Sequence, residues 1–334
     1  MEWYAAVDLG ATNTRALVAD TDGTAHGRAR RPTPQADGQA ITRAVVATLE
    51  RARDAAGVAP DALAAIGVGS IGPLDTDAGA VVAPPNVPAD RIELEAALSE
   101  RTGAPVTLRN DAIAGVRGER RFTDAPENTV YLTLSTGVGA GVAVDGHVLH
   151  GHRGNAAEVG HLSLVPGGRP CGCGGTGHWE AYCSGAGIAA HARSLATDHP
   201  TRLDPDELDA AAVFAAADPD TVTASVAETD AVERLSTDLP EAPPDGEGDA
   251  LATRVVADAV RVNARGVAAL AHAYAPELIS VGGTVALSNS DLLVDPLPDL
   301  LATAGLAVPA PDVRETPLDG DAVIRGALAS VLPE

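Results

Sequence analysis

Apolar residues recur along this chain at two periods, and the switches between them mark its elements. The run YAAVDLGATNTRALVADTDG (4–23) is apolar in short stretches broken by Gly, Thr and Asp. That pattern predicts strand, Gly/Thr turn, strand and acidic-Gly turn. A related pattern returns at TVYLTLSTGVGAGVAVDGHV (129–148), so one supersecondary unit is used twice. Between them Ile41, Val45, Leu49 and Ala52 share one face, which predicts a helix over 38–56. A strand is expected at 64–72, a helix at 92–101, a strand at 105–110, then an alanine-rich helix opened by Asn110–Asp111. Farther on come a long helix at 249–274 and the apolar strand ELISVGG (277–283) with its Gly-Gly-Thr turn. Strands alternating with helices predict an α/β protein, and 334 residues suit two lobes. The acidic stretch 198–250, with Pro, Asp and Ala throughout, reads as an irregular surface insertion flanking short helices.

Charge changes the picture. A net charge of −23 opposes nucleic acid and anionic membranes as partners. All 23 basic residues are Arg, and there is no Lys. An acidic, Lys-free composition suits high salt, where screening removes the repulsion between carboxylates; a GC-rich genome is the blander source of the same bias. Without Lys there is no Walker A loop, no protein-kinase strand lysine and no Schiff-base nucleophile. Any phosphate must be met by backbone N–H groups, hydroxyls, Arg and a divalent cation. No apolar run reaches a membrane span and Met1 leads directly into strand-like sequence, so a cytoplasmic protein is expected.

Four motifs carry candidate chemistry. In DLGATNTR (8–15), Gly10 permits a tight turn and Thr12, Asn13 and Thr14 offer polar groups to a phosphate. Asp8 would hold hydrated Mg²⁺, and Arg15 adds positive charge. LSTGVGAGV (134–142) makes a second such turn. In LRNDA (108–112), Asn110 and Asp111 suit a helix N-terminus; functionally, Asp111 would be a general base with Asn110 on an adjacent hydroxyl. The stretch EVGHLSLVPGGRPCGCGGTGHWE (158–180) gathers His161, Cys171, Cys173 and His178, a set suited to tetrahedral, structural Zn²⁺. Cys183 is a spare thiol that competes with His178 for the fourth place.

DLGATNTR, GVGSIGPLD (67–75), NDA, LSTGVGAG, ExGH at 158–161 and CGCGGTGHWE together closely resemble the ROK (repressor, open reading frame, kinase) family of sugar kinases. The likeness runs from residue 5 to about 187, resumes at ISVGGTVA (279–286), and lapses over 198–250. It implies an actin-like, ribonuclease-H-like pair of α/β lobes with a cleft between them. The lobes would be 1–113, rejoined by a C-terminal helix at 319–334, and 114–318 with a zinc loop at 158–183. The implied activity is ATP-dependent phosphorylation of a hexose, glucose first. N-acetylmannosamine, fructose and allose stay open as substrates, and polyphosphate as donor. By motif, Asp111 becomes the catalytic base, with Asn110, Glu158, His161, Glu180, Gly72 and Asn86 around the sugar. Asp8, Gly10, Thr12 and Thr14, with Thr136 and Gly137, would meet the phosphates and Mg²⁺, and Gly282 and Gly283 the nucleoside. Zinc would fix the loop carrying three sugar ligands, and His161 could serve metal and sugar through its two nitrogens. The family usually has Cys where this chain has His178. It also suggests a homodimer or homotetramer. Regulators in the family carry an N-terminal DNA-binding segment, for which a DLGATNTR starting at residue 8 leaves no room; a sugar-binding regulator is the non-enzyme alternative.

Overall fold

A computed structural model describes residues 2–204, 207–227 and 248–333. The early strands are β1 (Trp3–Leu9), β2 (Asn13–Ala19), β3 (Ala25–Pro32), β4 (Leu63–Ser70), β5 (Leu74–Asp75), β6 (Ala80–Val82), β7 (Arg91–Glu93) and β8 (Val106–Asn110). Helices α1 (Gly38–Ala56), α2 (Glu95–Thr102) and α3 (Asp111–Phe122) lie among and after them. Next come β9 (Thr129–Leu134), β10 (Val138–Val144) and β11 (His147–Val148), then α4 (Glu180–Cys183), α5 (Gly185–Leu195), α6 (Ala210–Ala216), α7 (Pro219–Val226) and α8 (Ala250–Tyr274). The chain closes with β12 (Leu278–Gly282), α9 (Thr284–Leu287), α10 (Ser290–Leu293), α11 (Leu297–Thr303), β13 (Asp312–Glu315) and α12 (Ala322–Ala329).

Two units divide the chain. The first comprises Met1–Tyr131, Gly141–Ala157 and Thr316–Glu334. Its sheet runs β3-β2-β1-β4-β8, antiparallel across β1–β3 and parallel from β1 through β4 to β8. β1 reads as a nearly unbroken apolar run because both its faces are covered. Ala5, Val7 and Leu9 join Ile41, Val45, Leu49 and Ala52 of α1 in one core. Tyr4 and Ala6 meet Ile324, Ala327 and Leu328 of α12 in another. The face predicted for 38–56 is therefore the buried one. Asp37 caps α1 by accepting from the Ala40 N–H at 2.8 Å, which satisfies a donor the helix start leaves open. The helix predicted at 92–101 begins three residues later, since Arg91–Glu93 pair with β6 instead.

The second unit comprises Leu132–Ala140 and Glu158–Glu315. The second five-stranded sheet is ordered β11-β10-β9-β12-β13, with β10–β11 antiparallel and β12–β13 parallel. Its order repeats that of the first sheet, strand for strand in sequence, which is the repeat read from 4–23 and 129–148. α8 is buried on most of its surface, from Leu251 to Ala271, and packs with α4 through α7, α10 and α11. Part of the acidic stretch is regular: Asp209 and Asp218 cap α6 and α7, and Val213, Phe214, Val222 and Val226 are buried. The acids there open helices as well as carry charge. Most of LPEAPPDGEGD lies outside the described residues. Among those described, no helix is long and apolar enough to cross a membrane.

Candidate active site

In the first unit, the hairpin register sets Asp8 directly across from Arg15. Arg15 donates from Nε (2.8 Å) and from Nη2 to Asp8 Oδ2, and its Nη1 reaches the Gly320 carbonyl at 2.5 Å. Burial pushes the Asp8 carboxyl above the usual range, and the Arg15 charge offsets only part of that shift. The turn between these residues is tied from one side. Thr33 N–H donates to the Thr12 carbonyl (2.9 Å), Thr33 Oγ1 to Gly10 (2.7 Å) and Gln35 to Ala11 (3.0 Å). With the carbonyls of Gly10, Ala11 and Thr12 engaged on that side, the turn is closed by the Gly10 N–H donating to the Asn13 carbonyl at 3.0 Å. Thr12 is exposed, whereas the Thr14 hydroxyl is fully buried at 3.0 Å from that of Thr33. Asn13 Oδ1 accepts from Arg30 Nε. Neither Thr33 nor Gln35 is visible as a support in the sequence, since both act across more than twenty residues.

β8 ends at Asn110 and α3 starts at Asp111, so the strand-to-helix switch presents both side chains. Asn110 Oδ1 caps the helix, accepting from Ala112 N–H (2.9 Å) and Ile113 N–H (3.3 Å). Its Nδ2 faces Gly72, where a Cβ would sit 3.4 Å away. The capping role and a ligand role are thus divided between the two ends of one amide. Asp111 stands in the first helical turn, its Oδ1 accepting from the Ala112 N–H at 2.8 Å. Asn86 is exposed in the loop after β6.

In the second unit, the turn 134–137 is closed by the Ser135 N–H donating to the Gly137 carbonyl at 2.9 Å. Glu180 opens α4 and accepts from the Val138 N–H at 3.0 Å. A Cβ on Gly137 would lie 2.6 Å from the same carboxylate. Gly283, at φ +91, lies against the backbone of Leu134, so Gly282–Gly283 borders this turn. Protein crowded around the Glu158 carboxyl pushes its pKa up, Glu180 adds to the shift, and His161 opposes it. His161 and Glu180 both stand near enough to the Glu158 carboxyl to act on its charge.

His161, Cys171, Cys173 and His178 come together: one ligand atom from each lies within 4.8 Å of all the others. Cys173 Sγ is 3.2 Å from His178 Nδ1, and the two imidazole centroids are 5.5 Å apart. A small hairpin makes this possible, through the Pro170–Thr176 bridge and the Cys171 N–H donating to the Gly175 carbonyl at 2.8 Å. The Ser163–His178 bridge brings the ends of the loop side by side. Cys183 is elsewhere, buried in α4 with its thiol donating to the Ala259 carbonyl of α8 at 3.2 Å. Burial pushes that thiol's pKa up. Of the two candidates for the fourth position, His178 is the one in the cluster. Two thiols and two imidazoles at this spacing fit a four-coordinate Zn²⁺.

Paired sheets of this order with paired Gly/Thr turns define the actin-like class of phosphotransferase folds. Residues 4–239 match the model of the ROK family, and the chain belongs to that family. It is 37% identical to a glucokinase of Pyrobaculum calidifontis over 98% of this chain and 95% of the relative. Its fold is shared with a ROK family glucokinase from Streptomyces griseus, solved with glucose and AMPPNP (TM-score 0.74, 26% identity, 98% of each chain). It is also shared with a ROK hexokinase from Thermus thermophilus (TM-score 0.74, 32% identity, 98% of this chain and 97% of that one).

Proposed function

We propose that this protein is an ATP-dependent glucokinase, which transfers the γ-phosphoryl group of Mg·ATP to the primary hydroxyl of glucose. The observation that carries the choice of sugar is the likeness to the Pyrobaculum calidifontis glucokinase along almost the whole length of both chains. Asp111 is the general base. It accepts the hydroxyl proton as the sugar oxygen attacks the γ-phosphorus and the bond to the β–γ bridging oxygen breaks, which releases ADP. Asn110 spends Oδ1 on the cap of α3 and keeps Nδ2 for a sugar hydroxyl.

Glu158, His161 and Glu180 are the further sugar ligands, and the Cys/His cluster supports that reading by fixing the chain between His161 and Glu180. Zn²⁺ bound there would have a structural role, holding His161 by one nitrogen and leaving the other for substrate. The phosphates fall to the turns at 10–14 and 135–137. Asp8 would meet hydrated Mg²⁺ through Oδ1, since Oδ2 carries the Arg15 contacts. With no Lys in the chain, backbone N–H groups and the cation offset the phosphate charge.

The test is ADP release with Mg·ATP across glucose, N-acetylmannosamine, fructose and allose, with polyphosphate as alternative donor. Glucose with ATP should give the highest kcat/KM. Asp111→Asn should lower kcat by about 10²–10⁴-fold, the usual contribution of a positioned base. Near-normal turnover by that variant would remove Asp111 from the role.

A further inference from the structure

Within the first unit, the end of β8 and the segment His150–Gly154 line an open cavity of about 350 Å³. Its walls include Arg109, His150, His152 and Arg153, with Thr76 and Asp77 from the loop after β5. None of the residues assigned above to sugar, phosphates or zinc lines it. Arg117 of α3 stands behind His150, its Nη2 3.4 Å from the imidazole Nε2. A guanidinium can only donate, so His150 meets it as the neutral, accepting imidazole.

These cations are poorly compensated. Arg109 Nη1 donates to the Leu108 carbonyl at 3.0 Å, but the Nε atoms of Arg109 and Arg117 are both buried without an acceptor. Burial weighs most heavily on the Arg117 charge, and the neighbouring Arg109 and Arg120 add repulsion to it. Asp77, the acid in the wall, is largely exposed and lies 3.9 Å from Arg153. The chain has 46 acidic residues, twice its basic ones, yet sets no ion pair on Arg109 or Arg117 among the described residues. Burying charge without a partner is costly, and a bound anion removes the cost.

We propose that this cavity binds a phosphate monoester of sugar size, gripped by Arg109 and Arg153 and backed by Arg117 through His150. Three guanidiniums against one carboxylate call for a dianion, and forked N–H donors match phosphate oxygens. The volume falls in the range of small-molecule sites, about 300–1,000 Å³, which leaves room for an organic group beyond the phosphate.

The test is binding to the full chain without nucleotide, by calorimetry and thermal unfolding, with glucose 6-phosphate and inorganic phosphate as separate probes. Glucose 6-phosphate should raise Tm and bind more tightly than inorganic phosphate. Arg109→Met should weaken it at least ~10-fold, the cost of losing one charged hydrogen-bonding partner, while Tm without anion stays level or rises. Arg153→Gln, on a half-exposed side chain, should weaken the ester similarly and keeps the test open if Arg109→Met does not fold. Unchanged ester affinity in Arg153→Gln, inorganic phosphate binding as tightly as the ester, or no Tm shift in the parent chain would each overturn the proposal.

Discussion

At the scale of single residues, Gly137 and Glu180 are coupled through one close approach. Glu180 is anchored by the Val138 N–H, and the missing side chain at 137 is what lets the carboxylate reach it. Gly137→Ala would put a methyl group 2.6 Å from Oε2, so the carboxylate must leave its anchor. Glucose KM should rise about 10-fold, roughly 1.4 kcal/mol, with Tm changed by only a few degrees because the strain is local. Steady-state kinetics beside a thermal melt checks this; an unchanged KM would show that Glu180 does not need its anchor. The sequence made DLGATNTR readable as a polar turn but not which of its hydroxyls face outward. Thr14 is buried against Thr33 because strand pairing, set by β3, turns it inward. A motif names donors, and the partner strand decides which of them are spent.

At the scale of an element, the loop 158–183 is the part of the site most legible from spacing. Two Cys one residue apart, flanked by His and Gly, can converge by local turns alone, and they do. The place of Cys183 was not legible, because its direction is fixed by the packing of α4 on α8, a contact across 76 residues. These positions separate two roles by chemistry. The protein as purified should hold about one Zn²⁺ per chain by elemental analysis, as expected for a closed four-ligand site. Cys171→Ser or His178→Ala should lose it and raise glucose KM more than they lower Tm. Cys183→Ser should keep the metal and lose only a little stability, about 1 kcal/mol for one buried hydrogen bond. Chelation of the parent chain should reproduce the Cys171→Ser behaviour. Metal retained by the His178 variant would return the fourth position to another group.

For the whole molecule, the α/β alternation and the doubled strand–turn–strand unit were readable because each depends on local periodicity, and both sheets carry the repeated order. The helices inside the acidic stretch were less visible, since Asp read as solvated charge when two of them are caps. Charge itself yields a prediction that no single contact contains. With 46 acids and 23 arginines, carboxylates outnumber the arginines two to one. Added salt then acts in two directions. It weakens exposed pairs such as Arg28–Asp321 and Arg91–Glu93, which contribute little to stability. It also screens repulsion among the excess acids, as the Debye length falls from roughly 10 Å at 0.1 M to about 3 Å at 1 M. The second effect should win, because the exposed pairs contribute little and the repulsion among the excess acids is summed over the whole surface. Tm should therefore rise steadily between 0.1 and 2 M KCl, and kinase activity should persist across that range. A Tm that stays flat or falls would show that the ion pairs outweigh the net charge, and that the Lys-free composition reflects codon bias instead of a salty working environment.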